Sequence, residues 1–431
     1  MTRSMRSFLA THNLLAVSAL HRETTLNVEQ ELDTSLLVDL NSILQYRALK
    51  SPNREEMTGR EEPDRVDDLG GVVAGTLSFS RAQPQHFAFL LAYALGHVET
   101  TPLGGSAFRH TIRPLTGEVD VARSNPSFTA AMRFGRQVLK RRFASCFIDQ
   151  VRVDLPKDGW AKIHGGVKGT GKITDNTQML ELTAPFNTDT LVLAGYGVAG
   201  DTAQERLSNV QAIKVQNPAS QAWEEVSYSA VSQGVPALIT ITPPGGSAES
   251  ASFRVYFIPV ENGWMTLPPQ ISEPPLKVSD ILINLGGRWD GAHFLGGHTL
   301  TAELGRLSWT FHNHLVLETT PGGETGYANR AFRTGREQKV ELDRDFRDFL
   351  LAWHLKNNDT LALYVRARGP EFAPGYPYQV ELVFPRLAVT AAPIKVGQRR
   401  LLEEVALTVL EDQEFGSVIA YVQNQVPGYA A

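Results

Sequence analysis

Alternation of apolar and polar residues is the dominant pattern of this chain, and it predicts a mainly β protein. In the longest such run, 143–155, apolar side chains fall on one face of a strand. Thirteen residues at about 3.3 Å each exceed the usual strand of five or six. A Lys-Asp-Gly turn at 157–159 then leads into a partner strand over 160–173, which predicts a long hairpin. The candidate functional residues of this hairpin are Gln150, Arg152, Asp154, Lys168, Thr170 and Lys172.

The partner strand carries four glycines, at positions 165, 166, 169 and 171, which suit close backbone approach or a strongly twisted sheet. Residues 166–172 also satisfy most of a phosphate-binding loop pattern. However, Ile173 stands where Ser or Thr should hold magnesium, and no helical pattern follows. We therefore interpret the segment as a glycine-containing strand.

Helical periodicity appears in two heptapeptides about 260 residues apart, 89–95 and 349–355, which are identical at five of seven positions. Each follows a long loop and a segment of period two, which predicts a duplicated domain. A chance match between two runs of apolar helix formers is the alternative. For the first helix we expect one buried face and an end at Gly96; for the second, the expected buried face is Phe346, Phe349, Leu350 and Trp353. On that basis Phe349→Asp would unfold the second half.

Long polar segments precede both helices. Residues 23–40 read as an extended arm, and 51–68 form an acidic loop that contains two prolines. A loop of this length in a compact chain is usually functional or a linker. The candidate contact residues of the first loop are Glu55, Glu56, Met57, Gly59, Glu61 and Glu62, and 319–336 forms the corresponding loop of the second half.

The pattern changes over 184–270, where short alternating strands at 190–193, 211–215, 237–241 and 252–258 are separated by Gly, Pro, Ser and Asn turns and no convincing helix occurs. This pattern is typical of a small immunoglobulin-like β-sandwich, inserted between the two halves. The Pro-rich stretch 267–275 reads as its exit linker. The expected domains are therefore 1–183, 184–275 and 276–431, the outer two being β-sandwich or barrel domains with one flanking helix each.

Composition excludes several classes of protein. The 431 residues are 42% hydrophobic and 20% charged, with a formal net charge of −5, and no Lys/Arg cluster is long enough to grip nucleic acid. The single Cys146 rules out an intrachain disulfide and fits a small core residue in a reducing compartment. Polar residues at 11–13 interrupt the N-terminal apolar run, so we reject a signal peptide. The sequence contains no apolar window of eighteen residues, so we expect no membrane-spanning helix.

Candidate chemistry is sparse. His312 and His314 share a strand face and could hold a metal with a third ligand, but solvated polar side chains are the simpler interpretation. The acidic runs 343–348 and 403–404 suit helix starts and strand edges, and one sequence cannot place two carboxylates across a cleft. No nucleophile elbow or dinucleotide-binding loop occurs. We therefore expect neither an enzyme nor a bound cofactor or metal.

In the order of its elements the chain resembles the tail tube proteins of long-tailed bacteriophages. The resemblance covers everything except about 184–270. It lies in the acidic loop 56–62, the strand 75–79, the helix ending at Gly96, the strand 108–112, the segment 126–131, the long hairpin, Phe384-Pro385-Arg386 and a closing strand before Asn424.

This resemblance implies a structural subunit of the virion tail, assembled in the host bacterial cytoplasm. Subunits of that family form rings whose hairpins join into one β-barrel, and the rings stack into a tube through which DNA passes without specific binding. The long loops would reach the adjacent ring, the inserted sandwich would project outward, and tape-measure and tail-end proteins would be partners. Duplication favours a trimeric ring with approximate six-fold character, whereas a hexamer follows if the repeat is coincidental. A carbohydrate-binding or carbohydrate-active β-protein of a virion or a secreted system is the alternative.

Overall fold

The computed structural model describes residues 9–57, 59–116, 125–134, 139–260, 267–300, 303–321, 326–397 and 399–430, and it shows a mainly β protein with several sheets. The chain divides into two compact units. The smaller contains Thr174–Leu267 with Met1–Leu14 and Ala131–Arg142, and the larger contains Leu15–Ala130, Phe143–Ile173 and Pro268–Ala431.

The strands of the first half of the chain are β1 Leu14–Val17, β2 Thr34–Leu36, β3 Leu44–Pro52, β4 Val66–Phe79, β5 Gly96–Gly104, β6 Ala107–Pro114, β7 Phe128–Phe134, β8 Leu139–Pro156, β9 Lys162–Gly169, β10 Ile173–Asp175, β11 Gln178–Pro185, β12 Thr190–Leu193 and β13 Val210–Gln216. Those of the second half are β14 Trp223–Glu225, β15 Tyr228–Val231, β16 Ala237–Ile241, β17 Ser250–Phe257, β18 Ile281–Leu285, β19 Arg288–Trp289, β20 Phe294–Leu295, β21 His298–Thr299, β22 Leu304–His312, β23 Leu315–Glu318, β24 Arg330–Arg333, β25 Glu337–Asp345, β26 Thr360–Ala373, β27 Tyr376–Ala391, β28 Ile394–Gly397, β29 Arg400–Val409 and β30 Ile419–Asn424. The α-helices are α1 Pro84–Leu95, α2 Ala203–Asn209 and α3 Leu350–Asn357, and 3-10 helices lie at Ala10–His12 and Val278–Asp280.

The larger unit is built on a run of eight antiparallel strands in the order β3-β4-β9-β8-β22-β25-β29-β28. The predicted hairpin is present as β8 and β9, and it lies inside the run with β22 and β4 as outer neighbours. Within the described residues, β3 pairs only with β4 and β28 only with β29. The outer edges of β3 and β28 therefore have no strand partner among the described residues. Strand β29 extends past β28, however, and there it pairs with β27, so on that side the run continues into further strands of the same chain.

Helix α1 is the centre of the larger unit's core. It begins with Pro84 after Gln83, whose side chain takes part in a capping box with His86, and it ends at Gly96 in the left-handed conformation, as predicted. All twelve of its residues are buried, so the expectation of a single buried face is wrong, because strands of the same chain cover the helix on both sides. One side packs on β9, and the other packs on a second layer of strands of order β5-β6-β30-β27-β26-β18-β21, which the β27–β29 pairing joins to the run. A Cβ atom at Gly165 would lie 2.5 Å from Leu90 Cδ2, so this glycine lets the helix approach the strand.

The expected arm and linker both lie on the larger unit. The Glu23 carboxylate accepts hydrogen bonds from the hydroxyls of Ser127, Thr129 and Ser145 and from the Ser145 backbone N–H. In the linker, the Glu273 carboxylate accepts from Gln85 N–H at 2.6 Å, in the first turn of α1. A residue of the expected linker, Glu273, therefore satisfies a backbone N–H group at the N-terminus of α1.

The smaller unit consists of two sheets around a common core. One has the order β11-β17-β13-β14 and the other β12-β16-β15. Both contribute to one apolar cluster, for example Phe253 and Ile213 from the first sheet and Ile239 from the second. Strand β11 precedes the expected boundary at 184 but pairs with β17 along its whole length. Contrary to the prediction, a helix is present: α2 has a capping box in which Thr202 and Glu205 each accept from the other's backbone N–H.

The second helix of the predicted repeat departs from expectation. Helix α3 forms where expected, but Phe349 is 61% exposed and Trp353 is 57% exposed, and only Leu351 of the helix is buried. The predicted burial of Phe349, Leu350 and Trp353 is therefore wrong for the single chain. Phe349→Asp would place its charge in solvent, so the unfolding expected from sequence no longer follows.

Candidate assembly surface

The outward side of the central strands β9, β8, β22 and β25 is a polar surface, here called the polar sheet face. Arg152 on β8 faces His164 on β9 and Thr310 on β22, and Thr310 faces Lys339 on β25. The next row joins Lys162, Asp154, Ser308 and Glu341 in the same strand order. The predicted residues Gln150, Arg152, Asp154 and Lys168 all lie on this face, while the alternate residues of their strands are buried.

Charges on the polar sheet face are compensated locally. Arg152 Nε lies 2.8 Å and Arg306 Nη2 3.0 Å from opposite oxygens of the Asp154 carboxylate, and Lys339 pairs with Glu341. Partial burial alone would raise the pKa of Asp154, but hydrogen bonds from Arg152 and Arg306 outweigh it and lower that pKa. The face is thus highly charged without being basic.

One cluster joins the hairpin to β22. Lys168 Nζ lies 2.9 Å from Asp149 Oδ2, which also contacts His312 Nε2 at 3.2 Å. The other oxygen of Asp149 accepts from Leu315 N–H at 2.7 Å. The carboxylate is nearly buried and fully occupied by protein donors, so its role is to fix the β8–β22 junction.

Two of the predicted hairpin residues are not on the face. Strand β9 ends at Gly169, and Thr170 is fully buried, with its hydroxyl bonded to Asn27 Oδ1. Lys172 Nζ donates to the Asn27 carbonyl oxygen at 2.9 Å. The N-terminal arm thus covers the end of the hairpin, which extrapolation of the strand alternation could not reveal.

The acidic loop is the tip of a protruding two-stranded ribbon, formed by β3 and the start of β4 and named here the acidic ribbon (49–69). Glu55, Glu56, Met57, Gly59, Glu61 and Glu62 are all exposed at this tip. Arg65 binds Glu56 at 3.1 Å, and Asn53 bridges Glu56 and Asp64. These bonds order the base of the tip and leave Glu55, Glu61 and Glu62 without an ion pair to any described residue.

The second long loop does not protrude in the same way. Its strands β23 and β24 form a small hairpin. Ala328 N–H donates to the Thr170 carbonyl, and Gly326 O accepts from Gly71 N–H. The described part of 319–336 therefore packs on its own chain.

Other candidate chemistry finds no support among the described residues. Cys146 is fully buried, and burial raises the pKa of its thiol, which disfavours the nucleophilic thiolate. The ring centroids of His312 and His314 lie 3.8 Å apart, but the described part of the chain holds no group of three metal-ligating side chains. Two clefts, of about 720 and 510 Å³, lie beside Trp160. Arg81 and Lys277 lie over that indole at 5.9 and 5.8 Å, where a sugar ring would otherwise stack.

None of the described helices combines the length and apolar character needed to cross a bilayer. Comparison of the chain with protein-family models gives no match, and comparison with curated proteins finds no significantly similar sequence.

Proposed function

We propose that this chain is a structural subunit of a bacteriophage tail tube, in which copies close into rings and the rings stack around a DNA channel. The observation that carries the proposal is the eight-strand run with a polar face, an open edge at β3 and a short open edge at β28. Open edges invite pairing with another chain, and closing a sheet on itself removes them.

The order of strands supports a duplicated building block. The run divides into β3-β4-β9-β8 and β22-β25-β29-β28. In each block the second strand is the one that leads along the chain into the helix with the repeated heptapeptide. Both blocks therefore have the same arrangement, and the β8–β22 junction is a template for the contact between β28 of one copy and β3 of the next.

An even number of alternating strands makes that contact consistent with ring closure. The two edge strands run in opposite directions, so copies that all point the same way can join them as an antiparallel pair. Two blocks per chain favour a trimeric ring with approximate six-fold character, and a hexamer of whole chains is the alternative.

The charges of the polar sheet face suit a channel lining. Strong DNA binding requires Lys and Arg that neutralise phosphates, and such contacts would oppose movement of DNA through a tube. Here Arg152, Arg306 and Lys339 are already paired with carboxylates of the same face. The polar sheet face would stay hydrated and would bind DNA only weakly. Tape-measure and tail-end proteins are the further partners that this function requires.

The alternative of a carbohydrate-binding protein has less support. The larger cleft beside Trp160 is its best site, but two cations already cover the ring. Binding of bacterial polysaccharides that is lost in Trp160→Ala would favour it over the tube.

An edge variant tests ring closure. Gly71 N–H bonds to Gly326 and not to β3, so its cross-strand partner Ala48 points its own N–H outward. Ala48→Pro should remove this edge donor without breaking the β3–β4 ladder, whereas Ala48→Ser keeps the donor. By negative-stain microscopy and sedimentation, we expect rings or tubes from wild type and Ala48→Ser, and monomers from Ala48→Pro. Wild-type protein that stays monomeric at high concentration would refute the proposal.

A further inference from the structure

Helix α3 and the adjacent β28–β29 turn present a continuous apolar surface to solvent. The Phe346 and Phe349 rings are 5.2 Å apart, and Phe346 N–H donates to the Leu401 carbonyl at 2.9 Å. Across the hairpin, Leu401 faces Val396, which is 78% exposed. We call Phe346, Phe349, Leu350, Trp353, Val396 and Leu401 the α3 patch. Contiguous exposed apolar surface of this kind marks an interaction site.

The repeated heptapeptide indicates that this surface needs a cover. In α1 the corresponding Phe89 and Tyr93 are fully buried. Phe128 packs on both rings at 5.1 Å, and the Tyr93 hydroxyl donates to the Ser18 carbonyl at 2.7 Å. In α3 the equivalent Phe349 and Trp353 are more than half exposed. The chain therefore buries the aromatic residues of the first heptapeptide and leaves those of the second exposed to solvent.

The acidic ribbon has complementary properties. Its exposed apolar side chains are Leu49, Met57, Val66 and Leu69. Residues 50–68 contain seven carboxylates and four cations, whereas 346–357 and 394–402 together contain five cations and one carboxylate. Three of these five cations pair with carboxylates of the same chain, and the other two, Lys356 and Arg399, have no ion pair to a described residue. Both surfaces combine apolar groups with charge, and the charges are of opposite sign.

Strand directions place the two surfaces at opposite ends of the larger unit. The ribbon tip follows the C-terminal end of β3. Because each neighbour in the run is antiparallel, β25 ends at the opposite end, where α3 begins, and the β28–β29 turn lies at that same end. A surface and its complement at opposite ends of one molecule give a head-to-tail contact that repeats along an axis.

We infer that the acidic ribbon of one copy docks on the α3 patch of a second copy in the next ring, so that this contact, and not edge pairing, joins ring to ring. The inference rests on the proposed function and identifies the receiving surface for stacking. Met57, Val66 and Leu69 supply the apolar contact, while Glu61 and Glu62 meet the basic rim at Lys356 and Arg399.

The first test separates stacking from ring closure. Phe349→Asp should fold and form rings that no longer stack, because the charge faces solvent in the single chain but would be buried at the contact. Leu238→Asp, an exposed position of β16 in the smaller unit, is the matched control and should form tubes as wild type does. We expect the pelleted tube fraction to fall to background in Phe349→Asp alone. Normal tubes from that variant would overturn the inference, whereas loss of rings in Ala48→Pro concerns only the proposed function.

The second test uses charge reversal. Glu61→Lys with Glu62→Lys should reduce the tube fraction several-fold, as should Lys356→Glu with Arg399→Glu. All four changes in one chain should restore stacking, since the complementary charges are exchanged. Failure of the combined variant to improve on either pair would contradict the contact. A lipid-binding result would also contradict the contact. If wild-type protein bound phosphatidylglycerol vesicles, and Phe349→Asp lost this binding but still formed tubes, the α3 patch would be a site for an anionic lipid surface.

Discussion

Arg344 and Glu403 form a buried ion pair between β25 and β29, with Nε 2.7 Å from Oε2 and side chains 3% and 1% exposed. They are direct cross-strand neighbours, and Arg344 also reaches Asp348 at 3.5 Å, immediately before α3. The pair therefore fixes the strand that leads into the α3 patch.

Removal of one partner should be costly. We predict that Glu403→Ala lowers the free energy of unfolding by about 3–5 kcal/mol, because it leaves the Arg344 guanidinium buried without its countercharge. The matched variant Glu404→Ala breaks the exposed pair with Lys395 and should cost less than about 1 kcal/mol. Urea unfolding of both variants gives the comparison. Equal effects would mean that the buried pair contributes no more than a surface one.

Glu273 should make stability depend on pH. Burial raises its pKa to about 7, against hydrogen bonds from Gln85 and Asn424 that lower it. Since the folded state then holds the proton more tightly than the unfolded state, stability should fall as pH rises from about 4.5 to about 7, by about 3 kcal/mol in total. Glu273→Gln should remove this contribution and raise the melting temperature more at pH 8 than at pH 5. A uniform shift at both pH values would contradict the assignment.

His86 should make stability depend on pH in the opposite sense, with stability lost as the pH falls. Burial lowers its pKa to about 3, so the imidazole stays neutral in the folded protein. Its contribution to stability should be complete above about pH 6.5 and should be lost as pH falls toward 3, because the unfolded state gains the proton first. By NMR the His86 ring resonances should show no titration between pH 8 and pH 5. A His86 midpoint near 6.5 would rule this out.

Gly171 should tolerate no side chain. Its φ is +98°, and a Cβ atom would lie against the carbonyl oxygen of Gly71. Gly171→Ala should therefore cost about 2–4 kcal/mol through backbone strain and the clash. At Gly166 the nearest atom is 3.4 Å from an added Cβ, so Gly166→Ala should cost about 1 kcal/mol or less. Chemical denaturation of the two variants measures the difference. Similar costs would contradict a specific backbone requirement for glycine at position 171.

Local pattern predicted much of the β structure. Strands β12 and β16 begin and end where the alternation placed them, and the helix stop at Gly96 is correct. These features depend on neighbouring residues, whose chemistry the sequence displays directly. Helix α2 was predictable as well, because Thr202 and Glu205 have the spacing of a capping box, but its seven residues are too few to show an apolar period.

Features that depend on contacts between distant segments could not be predicted from local pattern. The apolar face of α3 indicated a helix correctly, but periodicity does not say whether the covering surface belongs to the same chain. Thr170 continued the alternation of the hairpin, yet Asn27, some 140 residues earlier, covers it. Glu273 appeared in a Pro-rich linker, and its burial follows from contacts with Gln83 and Gln85 far away in sequence.

The antiparallel run gives every copy a direction, with carboxylates at one end and an aromatic helix at the other. A series of such copies joined head to tail would have two chemically different ends, each with its own mouth of the channel. A factor that seeds growth at the first mouth would have no affinity for the second, so length control at each terminus would call for a different protein.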